Sequence, residues 1–102
     1  MKLFVCTTCH LGRAGFAETL RQAMPKSVEV LEITCMSGCT RDQTVAFRAP
    51  GKTAYLFGDI TESDIANLQN FARLYADSVD GNFVDARALG DLRTKAVARI
   101  PG

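Results

Sequence analysis

Lys2-Leu3-Phe4-Val5-Cys6 and Ser27-Val28-Glu29-Val30-Leu31-Glu32-Ile33, with the segment Gly15 to Met24 between them, decide the fold. The first run is short, with three consecutive apolar residues, and reads as a buried strand. Phe16, Leu20 and Ala23-Met24 recur at helical spacing, so Gly15 to Met24 reads as an amphipathic helix. Pro25 ends it, because the residue before a proline is pushed out of helical conformation. Ser27 to Ile33 then alternates as a second strand, turning Val28 and Val30, joined by Leu31 and Ile33, toward a core. Strand, helix, strand in this order implies a parallel pair with a right-handed crossover.

Working outward, Thr44 to Arg48 and Thr53 to Phe57 form two further strands around Ala49-Pro50-Gly51-Lys52. Pro-Gly at the centre of such a gap is a turn signal. Thr61 with Asp64 three residues later marks a helix start. Ile65, Leu68, Phe71, Ala72, Tyr75 and Val79 form its apolar stripe, and Gly81 is placed to end it. The expectation is an α/β fold: one sheet of four strands with helices packed on it. Asn82 to Gly102 lacks a clean period. It reads as a short helix around Asp85–Leu89 and a tail laid on the domain or on a neighbour. We therefore expect a domain over residues 1–80 and a C-terminal extension over 81–102.

A chain of 102 residues fits one domain with a single core. It is 47% hydrophobic and 23% charged, ordinary for a globular protein. A net charge of +1 provides no field for nucleic acid or membrane binding, so neither is expected as a partner. The first residues turn polar too soon for a signal peptide, and no run approaches the roughly 18 apolar residues of a membrane span. The expected location is the cytoplasm. A single histidine leaves hydrolytic catalysis little to build on.

The four cysteines are paired as Cys6-Thr-Thr-Cys9 and Cys35-Met-Ser-Gly-Cys39. Each pair sits where a strand-like run ends. The two strands are expected to be parallel neighbours, so their carboxyl ends lie together. Open α/β sheets bind ligands at that edge. In a reducing compartment such pairs point to a metal site or redox centre rather than to structural disulfides. Three readings follow. Cys6, Cys9, Cys35 and Cys39 hold one metal centre, either a [2Fe-2S] cluster or zinc; or Cys6-x-x-Cys9 is a reactive dithiol; or all four are small buried hydrophobes. Paired spacing at strand ends argues against the last. Gly38 lets the second loop turn its sulfurs and amides inward. His10, Arg13 and Arg41 lie close in sequence to the thiols and would offset thiolate charge. Met36 either covers the centre or meets a partner.

Cys6 after the first strand, Cys35-x-x-x-Cys39 after the second and the hairpin around Pro50-Gly51-x-x-x-Tyr55 resemble the thioredoxin-like [2Fe-2S] ferredoxins. That resemblance implies a β-α-β-β-β-α architecture, one-electron transfer, and partners that are a reductase and an acceptor. Cys9 departs from the pattern, since in that family the second cysteine lies farther along the chain. Cys6-Thr7-Thr8-Cys9, Thr44-Val45-Ala46-Phe47, Ala49-Pro50-Gly51-Lys52 and Tyr55-Leu56-Phe57-Gly58-Asp59 are similar to a small bacterial family of predicted metal-binding proteins. This second resemblance implies a link to cobalamin synthesis. Members often carry a further cysteine near the position of Gln43, which this chain lacks.

The expected function is an electron carrier rather than a catalyst, with Cys6, Cys9, Cys35 and Cys39 as cluster ligands. The alternatives are a structural-zinc module and a thioredoxin- or glutaredoxin-type oxidoreductase. The last lacks the proline such enzymes place before the third strand, in Arg41–Thr44. An edge strand and an apolar tail allow a homodimer.

Overall fold

The computed structural model describes residues 1–7, 15–34, 43–83 and 86–101. Its strands are β1 (Lys2–Cys6), β2 (Glu29–Ile33), β3 (Val45–Arg48), β4 (Ala54–Phe57) and β5 (Ala96–Ile100). Its α-helices are α1 (Phe16–Ala23) and α2 (Ile65–Asp77), and 3₁₀ segments cover Glu62–Asp64 and Ala86–Thr94. The strands form one mixed sheet in the order β2-β1-β3-β4-β5. β1 pairs parallel with β2, as the strand-helix-strand unit requires, and antiparallel with β3, while the hairpin pairs β3 antiparallel with β4.

Among the described residues the sheet has five strands where four were expected. The tail supplies the fifth, antiparallel to β4. A register shift at Leu56/Phe57 explains why its pattern escaped notice: Phe57 pairs with Ala96 but Leu56 pairs with Ala98. The extra residue, Val97, breaks the period of two that identifies a strand.

Local chemistry explains the other elements. Gly51 takes φ +73° after Pro50, and the Lys52 amide donates to the Ala49 carbonyl at 3.1 Å, closing the β3–β4 hairpin. The Thr61 amide donates to the Asp64 carboxylate at 2.9 Å, so the expected cap is present. The C-terminal end of α2 differs from expectation. The helix stops at Asp77, and Val79 lies beyond it, 95% exposed. Gly81 does not cap the helix. It adopts φ +69° where an added Cβ would lie 2.7 Å from the Tyr75 ring, and its carbonyl accepts the Tyr55 hydroxyl at 2.7 Å. The Lys52 ammonium donates to the Tyr75 carbonyl at 2.7 Å, satisfying a carbonyl of the last helical turn.

Both helices pack on one face of the sheet. Leu3, Val5, Val30, Val45, Phe47, Tyr55 and Phe57 meet Leu20 from α1 and Leu68, Phe71 and Tyr75 from α2. Gln69 ties the helices by donating to the Ala23 carbonyl at 2.7 Å. Leu89 and Leu92, from the 3₁₀ segment before β5, are buried in the same core. Leu31 and Ile33 do not join it. Leu31 is half-buried and Ile33 exposed, because the alternation from Val30 turns them to the opposite side. Among the described residues no helix is long and apolar enough to cross a membrane.

Candidate metal centre

β1 lies between β2 and β3, so its last residue is flanked on both sides. Cys6 is that residue, and its neighbour in β2 is Ile33. The Thr7 amide donates to the Ile33 carbonyl at 2.8 Å, holding the two strand ends together as the segments beyond them begin. The Cys6 thiol donates to the Thr34 carbonyl at 3.5 Å. On the β3 side the Cys6 amide donates to the Thr44 carbonyl at 3.2 Å. The side-chain amide of Gln43 donates to the carbonyls of Cys6 and Thr44, at 3.0 Å each.

Cys6 is fully buried at this edge. Its contacts come from residues at both ends of the intervening segment: Thr34 immediately precedes Cys35, and Gln43 closes the stretch carrying Cys35 and Cys39. Cys6 itself opens the stretch carrying Cys9. The strand-end juxtaposition expected from the sequence is therefore present. Cys9, Cys35 and Cys39 lie outside the described residues, as do His10, Arg13, Met36 and Arg41. Among the described residues no three His, Cys, Asp or Glu side chains are grouped to hold a metal ion.

Two neighbours of Cys6 were not recognised as site residues in the sequence. Gln43 is 1% exposed and anchors the strand end through its carboxamide. An isolated glutamine in a polar stretch carries no pattern that predicts burial. Thr44 is also 1% exposed, and its hydroxyl has no hydrogen-bond partner among the described residues. Leaving a buried hydroxyl unsatisfied costs about 1–3 kcal/mol.

One acidic side chain near this end of the sheet, Asp64, has a structural role. Asp64 is buried and paired with Lys95, whose ammonium also donates to the Asp59 carbonyl at 2.9 Å. Burial pushes the Asp64 carboxyl up, but hydrogen bonds from Lys95, Thr61 and Asn67 outweigh it and hold the carboxyl below its ordinary range. Asp64 thus serves as cap and clasp, in keeping with the capping chemistry expected for this stretch.

Residues 3–102 match the model of a family described as "Protein of unknown function (DUF1636)", and the chain belongs to that family. No curated protein and no solved structure matches the chain.

Proposed function

We propose that this protein is a small electron carrier that holds one [2Fe-2S] cluster on Cys6, Cys9, Cys35 and Cys39. The observation that carries this reading is the contact of Cys6 with Thr34 and Gln43, the residues flanking the Cys35–Cys39 segment. Chain connectivity then starts both cysteine pairs from one sheet edge. The donor chemistry at that edge fits the group. Cys6 is a soft sulfur ligand, fully buried, and Thr44, whose buried hydroxyl is unsatisfied, stands opposite it on the β3 side through the Cys6 amide–Thr44 carbonyl bond. Once bound, the cluster supplies a one-electron couple.

The chain's own residues have separable roles. Cys6 anchors the centre to the middle of the sheet. Gln43 holds the Cys6 carbonyl and the start of β3 in one arrangement. Burial around Cys6 excludes water, which influences potential. We read the β-α-β unit followed by hairpin and helix as a thioredoxin-like frame with an added fifth strand. The exchange partners are a reductase and an acceptor protein. Full burial of the Cys6 sulfur disfavours the dithiol alternative, because reactive thiols sit in partly exposed, electropositive surroundings.

Anaerobic purification with iron, sulfide and zinc analysis, absorption spectra and EPR of the reduced sample tests the proposal. The expected result is two iron and two sulfide per chain, with a reversible one-electron couple. Each single Cys→Ser replacement is expected to lose the cluster and lower stability, since metal binding contributes to folding. Stoichiometric zinc without iron would replace the carrier with a structural-zinc module. Disulfide reduction by iron-free protein would replace it with a dithiol enzyme. Full cluster content in Cys9→Ser would overturn the four-thiol ligand set.

A further inference from the structure

We propose that Thr44 is a positioning residue of this centre, whose hydroxyl donates a hydrogen bond to the Cys6 sulfur when that sulfur is a metal-bound thiolate. The inference rests on the carrier reading and assigns one residue's role within it.

The β1–β3 ladder pairs Val5 with Val45, and the Cys6 amide donating to the Thr44 carbonyl extends that register by one residue. Cys6 and Thr44 therefore stand opposite each other. Directly opposed residues of an antiparallel pair share a face, with Cβ atoms about 4.5–5.5 Å apart. Val5 and Val45 face the helices, so alternation turns Cys6 and Thr44 to the other side together. At this separation, rotation about the Thr44 Cα–Cβ bond is enough to aim its hydroxyl at the sulfur.

The hydroxyl is buried and unsatisfied, while the neighbouring polar groups are engaged. The Gln43 side-chain amide serves the carbonyls of Cys6 and Thr44. The Cys6 thiol points its proton at the Thr34 carbonyl. Metal binding removes that proton and turns the sulfur into an acceptor, supplying what the Thr44 hydroxyl lacks. Valine has nearly the same shape and would avoid the unmet hydroxyl, so the metal-free fold has no use for threonine here. A hydrogen bond to cluster sulfur favours the more negatively charged, reduced state and raises the potential. The electron adds to the centre, and the hydroxyl proton stays on oxygen.

The test compares wild type, Thr44→Val, Thr44→Ser and Thr44→Ala in the full chain, each reconstituted anaerobically with iron and sulfide. Midpoint potential is measured by mediated titration, and the stability of chelator-treated, metal-free protein by urea unfolding. The Val and Ala variants should favour the oxidised form by about tenfold, ~59 mV lower for a one-electron couple. Ser should stay near wild type. Metal-free Thr44→Val should be at least as stable as wild type, an outcome that a purely structural threonine would not produce. Equal potentials in all four proteins, or Ser moving with Val, would overturn the role of Thr44 and leave the carrier reading intact. If Val does not fold, Ala decides the same comparison. If wild type takes up no cluster, the carrier reading falls and this inference with it.

Discussion

The two faces of the sheet are built from the same strands and have opposite fates. On the helix side Val30, Leu3, Phe47 and Tyr55 line up across β2, β1, β3 and β4, each 5% exposed or less. On the other side Leu31, Phe4, Ala46, Leu56 and Ala98 line up across all five strands, and each is only half-buried. A shallow trough of about 510 Å³ runs over that second face, bordered by Ile33 and Ile100. Both rows are apolar, yet among the described residues both α-helices pack against the first of them. Apolar alternation thus identifies a strand without saying which of its faces becomes the core.

The largest expected difference between the faces comes from Phe71, whose ring lies 4.8 Å from Phe47 and 5.1 Å from both Tyr55 and Phe57. Phe71→Ala should cost about 3–5 kcal/mol in urea unfolding, since the surrounding rings cannot collapse into the space. A loss under 1 kcal/mol would break the assignment of this face as the core.

The Lys95–Asp64 clasp joins the entry to β5 with the start of α2. Lys95→Met leaves a buried carboxylate without its partner and should cost about 2–3 kcal/mol at neutral pH, below the range for a fully buried pair because Lys95 is partly exposed. The pH dependence follows from the lowered Asp64 pKa. Its stabilisation is fully present above the unfolded carboxyl's range, near pH 4, and is lost as pH falls through the lower folded value. The stability gap between wild type and Asp64→Asn should therefore hold from neutral pH to about 4 and close below it. A gap that widened in acid would show that Asp64 is destabilised by folding.

Leu56→Ala, on the open face, should have the smallest effect, about 1 kcal/mol or less. A cost matching that of Phe71→Ala, especially one that grows with protein concentration, would mean that a second chain buries this face in solution.

Legibility along the chain follows how local each signal is. The first strand and helix, the Pro50-Gly51 turn and the Thr61–Asp64 cap were readable because neighbouring residues produce them. The adjacency of the two strand ends that lead into the cysteine segments was readable because a strand-helix-strand unit places parallel strand ends together. β5 was not, because its bulge removes the period and its pairing depends on β4, far away in sequence. Gln43 and Thr44 were missed as site residues for a related reason: each looks like an ordinary polar residue until β1 is laid beside it.

By itself, then, the sequence determined the first four strand segments, the helices between and after them, their order and the pairing of thiols in the stretches that follow two of those strands. These depend on backbone propensity and side-chain period within short stretches. Tertiary structure decided which sheet face is core, made the tail a fifth strand, pressed Gly81 against Tyr75 and set Thr44, its hydroxyl buried and unsatisfied, opposite Cys6. Each of these depends on which distant segment arrives alongside, and burial and pairing are properties of that arrangement rather than of any residue in it.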